Sequence, residues 1–194
     1  GFARLLAWGL LTGLIVRELS FDNFVELFTE PAYLEVLART VGVALAVTVL
    51  CAVIALPMSL FLARVATPRW QPILIALVLT PLWASYLVKV YAWRTMFAPQ
   101  GGVLVWAFGW TPGYGLPAVV VVLTYLWLPY MVLPVYAGLS SMRGSYLDAA
   151  ADLGARPWRT FRTVVLPVLW PSVAAGSIFT FSLSLGDYIT VQIV

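Results

Sequence analysis

The run Ser145-Tyr146-Leu147-Asp148-Ala149-Ala150-Ala151-Asp152-Leu153-Gly154, continuing through Arg156, Arg159 and Arg162 to Val164-Val165-Leu166-Pro167, is a polar island in an otherwise apolar chain. Ser145, with Asp148 three residues on, has the form of a capping box, in which hydroxyl and carboxylate satisfy the free amides of a helix start. A helix of about two turns is therefore expected from Ser145. Leu147, Ala150, Ala151 and Leu153 give it one smooth apolar side, and Gly154 supplies a left-handed stop. Pro157 suits the first position of a second short helix, expected to run to Leu166 and end before Pro167. The product is a compact elbow between apolar segments. The plain alternative is an ordinary loop whose alanines merely form helix.

Working outward, 62% hydrophobic against 10% charged residues cannot be arranged as one soluble core with a polar surface. The chain reads as an all-α, polytopic membrane protein. Five apolar segments compare with the roughly 20 residues that a spanning helix needs: 2–17, Thr40–Ala66, Pro72–Phe97, Leu116–Leu139 and Val168–Val194. The first is short and starts abruptly, and the last stops without a polar flank, so a fragment is expected. Residues 1–39 are read as a truncated first segment with an external acidic loop, and 40–194 as the core, carrying the elbow at 141–167. The single cysteine, Cys51, lies in an apolar run and reads as a small buried hydrophobe. The net charge of +3 forms no basic patch, which argues against nucleic acid.

Arginine placement orients the chain by the positive-inside rule. Arg64 and Arg69 mark one loop, and Arg143, Arg156, Arg159 and Arg162 mark the elbow, so both are expected in the cytoplasm. The acidic stretch Glu18–Glu35 and the uncharged 99–117 loop then lie outside, and the N-terminus beside Arg4 lies inside. Within the outer loop, 101–110 is apolar but too short to span, and glycines bracket it, which fits an interfacial helix. Trp70, Trp93, Trp106, Trp110, Trp158 and Trp170 fall near segment ends, as interfacial anchors do. Pro129 and Pro134 are expected to bend the fourth segment. Ser172, Ala175 and Gly176 suit close helix contact.

Enzyme machinery is missing from the sequence: there is no histidine and no P-loop pattern, and the only lysine, Lys89, sits in an apolar segment. Charge at membrane depth raises a functional hypothesis by default for Lys89, Arg94 and Asp187; Arg94 can snorkel to the outer interface, which leaves Lys89 and Asp187. They come to a similar depth, so an ion pair or a loop-capping role for Asp187 competes with a place on a solute path. Trp83, Tyr86, Tyr125, Trp127 and Tyr188 are the aromatic candidates for that path, since aromatic faces attract ammonium groups. Thr80, Ser85, Thr124, Ser182 and Ser184 are candidates for its polar lining.

The elbow resembles the cytoplasmic docking loop of binding-protein-dependent ABC importer permeases, whose pattern is E-A-A-x-x-x-G, nine residues, then I-x-L-P. Asp148 stands at the Glu, Ala149 and Ala150 at the alanines, Gly154 at the Gly, Val164 at the Ile, and Leu166-Pro167 close it. The stretch Phe181-Ser182-Leu183-Ser184-Leu185-Gly186-Asp187-Tyr188-Ile189-Thr190 is similar to F-x-x-S-L-G-D-[FY]-[VI]-T of spermidine/putrescine-type permeases. The resemblance implies the all-helical, type I (MetI-like) permease bundle of a bacterial inner membrane. It implies docking through Ser145, Leu147, Asp148, Ala149, Ala150, Gly154, Arg156, Leu166 and Pro167 onto two ATP-binding subunits that hold ATP and magnesium. It also implies a second, different permease subunit and an extracytoplasmic solute-binding protein, with no cofactor on this chain. A polyamine is the expected solute, and another small organic solute or ion is the alternative. An ion-coupled secondary transporter, or a scaffold that moves nothing, would not need the docking pattern.

Overall fold

The structure, a computed structural model, describes residues 31–194, and packing divides the chain into two units, 1–41 and 42–194. The expected first segment, and the acidic stretch as far as Glu30, lie outside the described residues. Among those described, every regular element is helical: α1 (Pro31–Leu60), a π turn (Phe61–Val65), α2 (Gln71–Trp83), α3 (Tyr86–Phe97), α4 (Val103–Phe108) and α5 (Leu116–Ser141). Then follow α6 (Ser145–Asp152), α7 (Pro157–Thr160), a second π turn (Phe161–Val165), α8 (Leu166–Leu185) and α9 (Tyr188–Ile193). Helices are the natural outcome for such apolar sequence, because each pairs its backbone groups within its own segment.

Among the described residues, three stretches are long and apolar enough to cross a bilayer: Tyr33–Val65, Leu116–Ser141 and Pro157–Leu185. A fourth, the pair α2 and α3, passes only if its halves are taken together, and it is bent by 94°. The expected third segment is thus broken, at Ala84 and Ser85, both in extended conformation. Pro81, in the last turn of α2, has no N–H to continue a helix, and Lys89 Nζ donates to its carbonyl at 2.7 Å, closing the bend. The expected fifth segment is broken too, at Gly186-Asp187, between α8 and α9. Pro129 and Pro134, by contrast, lie inside an unbroken α5. α1 begins at Pro31, ahead of the expected Thr40, and exposed Glu35 pairs with Arg39 one turn on at 2.6 Å.

α5 is the centre of the second unit, with Val122, Leu123, Leu126, Met131, Val135 and Leu139 buried along it. α1 meets it through Ser59, whose hydroxyl donates to Val132 O at 3.3 Å, and through buried Cys51. Buried Thr124 and Thr180 satisfy their hydroxyls on the carbonyls of Val120 and Gly176 in the preceding turn. α8 packs along α5 at two glycines. A Cβ on Gly138 would collide with Ser172 Oγ, and one on Gly176 would lie 2.6 Å from Met131 Sδ and 3.2 Å from Met131 Cα. Ser172 and Gly176 therefore serve the contact as expected, whereas Ala175 is exposed on the other side of the helix. The outward faces remain apolar, with Val53, Leu77, Ile178 and Phe179 exposed, as suits lipid or a further membrane chain.

α4 is bracketed by Gly102 and left-handed Gly109, and it exposes Trp106 and Phe108. Trp70, Trp110, Trp158 and Trp170 are also exposed, but Trp93 packs on Phe97 and Tyr125 with ring centroids 5.2 Å apart, so it belongs to the core's edge. Gly176→Leu should force α5 and α8 apart and destabilise the fold by about 1–3 kcal/mol. Thermal unfolding of the purified protein in detergent would register this, and Ala175→Leu should leave it unchanged.

Candidate functional site

The two helix breaks come together. Tyr86, the first residue of α3 after the 94° bend, donates its hydroxyl to Asp187 Oδ1 at 2.5 Å and lies 2.7 Å from Thr190 Oγ1. Asp187 is the N-cap of α9, accepting the Thr190 N–H at 2.9 Å, which is what an Asp just after a helix-ending glycine is suited to do. Loop capping is therefore its observed role. The expected ion pair with Lys89 is not formed, because Lys89 turns back to Pro81 O. Asp187 Oδ2 and the neighbouring Trp127 Nε1 are buried without a hydrogen-bond partner among the described residues.

Around this junction lies a cleft of about 500 Å³ whose lining includes Tyr86, Trp127, Ser182, Gly186, Asp187 and Tyr188. Tyr86 and Trp127 stack with centroids 6.4 Å apart, and Tyr130 continues the aromatic series at 5.8 Å from Trp127. Among the described residues, no cationic side chain lines the cleft. Four of the six path candidates from the sequence thus converge. Trp83 does not join them: it stands 89% exposed at the bend. Tyr125 does not either, being engaged edge-on with Trp93. Of the polar candidates, only Ser182 reaches the cleft. In the sequence Thr190 stands out only as the end of the Phe181–Thr190 stretch, with no expectation of its bonds to Tyr86 and Asp187, although the Asp-x-x-Thr spacing after Gly186 is a capping signal. Reading 168–194 as one continuous span concealed it.

The elbow forms a second feature. α6 begins at Ser145, but its N-cap is Gly144 and no side chain caps it, so the expected capping box is absent. Gly144 is already helical, with φ −55° and ψ −34°, which places Ser145 one position too far into the helix to cap it. Gly154 does adopt the left-handed conformation, φ +70°. Its N–H bonds to Ala151 O at 2.8 Å and that of Ala155 bonds to Ala150 O at 3.0 Å, the paired closure of a Schellman motif.

Ala150 is buried and Leu147 packs on the core, whereas Ala151 and Leu153 face solvent, Leu153 at 88% exposure. The expected single apolar side is therefore not presented whole: Leu147 and Ala150 turn to the body, while Leu153, the C-cap residue beyond the end of α6 at Asp152, stands exposed. Ser145, Asp148, Ala149 and Arg156 are exposed, and Asp148 has no ion pair among the described residues. Tyr146, Ala149, Leu153, Arg159 and Val164 border a groove of about 410 Å³ between α6 and the chain that follows. Pro157 opens α7 as expected, but the helix does not stop before Pro167. It passes through the π turn into α8, so Leu166 and Pro167 start a membrane-length helix.

A match to the family described as binding-protein-dependent transport system inner membrane component covers residues 55–194, which takes in the elbow and both breaks. The chain belongs to this family. It is an all-helical ABC transporter permease chain of the inner-membrane type. Among relatives, the permease is 42% identical over 199 residues to the inner membrane ABC transporter permease protein YdcU of Escherichia coli K12, covering 93% of this chain and 63% of that one. It is 30% identical over 178 residues to the spermidine/putrescine transport system permease protein PotB of Salmonella typhimurium LT2, covering 86% and 60%. It is 34% identical over 176 residues to the molybdenum transport system permease protein ModB of Mycobacterium bovis, covering 90% and 66%. The chain thus spans about three fifths of the length of the first two relatives.

Tyr86→Phe removes both bonds of the phenol and leaves Asp187 Oδ1 with the Thr190 amide alone. The permease should lose about 1–3 kcal/mol of stability, measured by denaturant titration in mixed micelles, while Tyr130→Phe should have little effect.

Proposed function

We propose that the chain is the transmembrane permease subunit of an ATP-driven importer and that its solute is a small organic cation of the polyamine class. The importer reading rests on the family match and on the elbow, whose exposed Asp148 and Ala149 beside left-handed Gly154 suit insertion into a partner. ATP binding and hydrolysis, with magnesium, then belong to two partner ATP-binding subunits. A second, different permease and an extracytoplasmic binding protein complete the assembly. In this reading residues 40–194 are the permease core, with the docking elbow at 141–167. The elbow and the N-terminus face the cytoplasm.

The observation that carries the solute class is the cleft, where three aromatic residues and one carboxylate meet with no cationic side chain among the described residues of the lining. An ammonium ion is attracted by ring faces at about 0.5–2 kcal/mol per contact and by the carboxylate as well. An oxyanion such as molybdate meets a like charge there, so the relative named for molybdenum does not guide the choice. Tyr86, Trp127, Asp187 and Tyr188 are the path residues proposed.

The test is uptake of radiolabelled putrescine and spermidine by proteoliposomes holding the full-length complex, its binding protein and internal ATP. Gly154→Asp should abolish uptake in an assembled complex, because aspartate strains the left-handed turn that closes α6. Asp187→Asn, which keeps a capping side chain but loses the charge, should lower polyamine uptake about tenfold. Uptake of neither polyamine, with ATP hydrolysis still sensitive to Gly154→Asp, would discard the solute and keep the importer. Uptake independent of ATP would favour an ion-coupled carrier instead.

A further inference from the structure

We propose that Arg64 is a positioning residue that ties the end of α5, and with it the docking helix α6, to the π turn Phe61–Val65; this rests on the reading of the elbow as the ATPase-docking element. α5 ends at Ser141 and α6 starts at Ser145, so only the Met142–Gly144 link separates them. A helix end leaves its last four carbonyls without intrahelical partners. Here the Ser141 hydroxyl takes Gly138 O at 3.0 Å, and Arg64 Nη2 takes both Leu139 O at 3.0 Å and Met142 O at 2.8 Å. One nitrogen thus spends its two hydrogens on the last turn of α5 and on the first residue of the link. The positive charge also stands at the negative end of the helix dipole.

The base of Arg64 is itself held. Leu62, two residues earlier, is buried, and its carbonyl accepts Gln71 Nε2 at 3.0 Å from the start of α2. The far side of the docking helix has a matching arrangement, since α6 packs on the second π turn, Phe161–Val165, which leads directly into α8. Single π turns inside helices are frequent at functional sites. The docking helix is therefore suspended between two of them, one reached through the Arg64 bonds and one through the chain. A displacement of α6 reaches the first transmembrane helix of this unit through Arg64. Lysine at 64 would keep the charge but not the planar guanidinium that aims two hydrogens at two carbonyls.

The experiment uses the full-length complex with its ATP-binding subunits in proteoliposomes. It compares native protein, Arg64→Met, Arg64→Lys and Gly154→Asp. The readout is the ratio of ATP hydrolysis with the cognate binding protein, purified with its endogenous solute, to hydrolysis without it. Arg64→Met should lower that ratio about tenfold in an assembled complex, and Arg64→Lys should fall between it and native. A cap that matters only for folding would lower thermal stability and leave the ratio in the surviving complex native, which would overturn the proposal. Should Arg64→Met fail to assemble, Arg64→Lys decides: a native ratio overturns the proposal and a reduced one supports it. Loss of the ratio in Gly154→Asp alone would discard Arg64 and keep the docking element. Native ratios in all three variants would discard the docking element and the Arg64 proposal with it.

Discussion

The hydroxyl of Tyr86 on Asp187 Oδ1, at 2.5 Å, joins two places where apolar helices are broken. A break inside a membrane body frees backbone groups that lipid cannot satisfy, at several kcal/mol each. The permease meets that demand with side chains. Asp187 caps α9, Thr190 closes the triangle with Tyr86, and Lys89 takes the carbonyl of Pro81 across the 94° bend. Arg64 does the same for the end of α5. Asp187, Thr190, Lys89 and Arg64 thus act where helices stop, whereas buried Thr124 and Thr180 sit inside helices and bond only the preceding turn.

This arrangement has a consequence for the cleft. The groups that keep the breaks intact also line the space beside them, so structure and solute chemistry share Tyr86 and Asp187. One carboxylate oxygen is engaged by the capping network, and the other is buried without a partner among the described residues. A substitution at Asp187 therefore acts on helix geometry and on the field of the cleft together, and only an isosteric change separates the two. The elbow shows a comparable economy: Ala150 and Leu147 hold α6 to the body, which leaves Asp148 and Ala149 outward.

Much of this was legible before any coordinates. The membrane class, three of the spans, the start of α6 at Ser145, its left-handed end at Gly154 and the opening of α7 at Pro157 follow from local chemistry. Trp127, Tyr86, Asp187 and Tyr188 could be named because charge and aromatic groups at membrane depth are few. Trp83 and Tyr125 satisfied the same criterion and point elsewhere, since the criterion measures depth along a helix and says nothing of the direction a side chain faces. The capping box failed for a similar reason: moving the N-cap by one residue, to Gly144, removes the pairing altogether.

By itself, then, the sequence determined the helical membrane class, the polar elbow with its glycine stop and the set of residues available for a solute path. Those depend on composition and on interactions within a few residues. Only the tertiary structure decided that 72–97 and 168–194 are each broken and that the breaks meet at Tyr86 and Asp187. It alone decided that Arg64 closes the end of α5. The physical reason is that an apolar run is equally compatible with a straight helix and a broken one. The outcome turns on whether partners 75 to 104 residues away arrive to satisfy the freed backbone and side-chain groups.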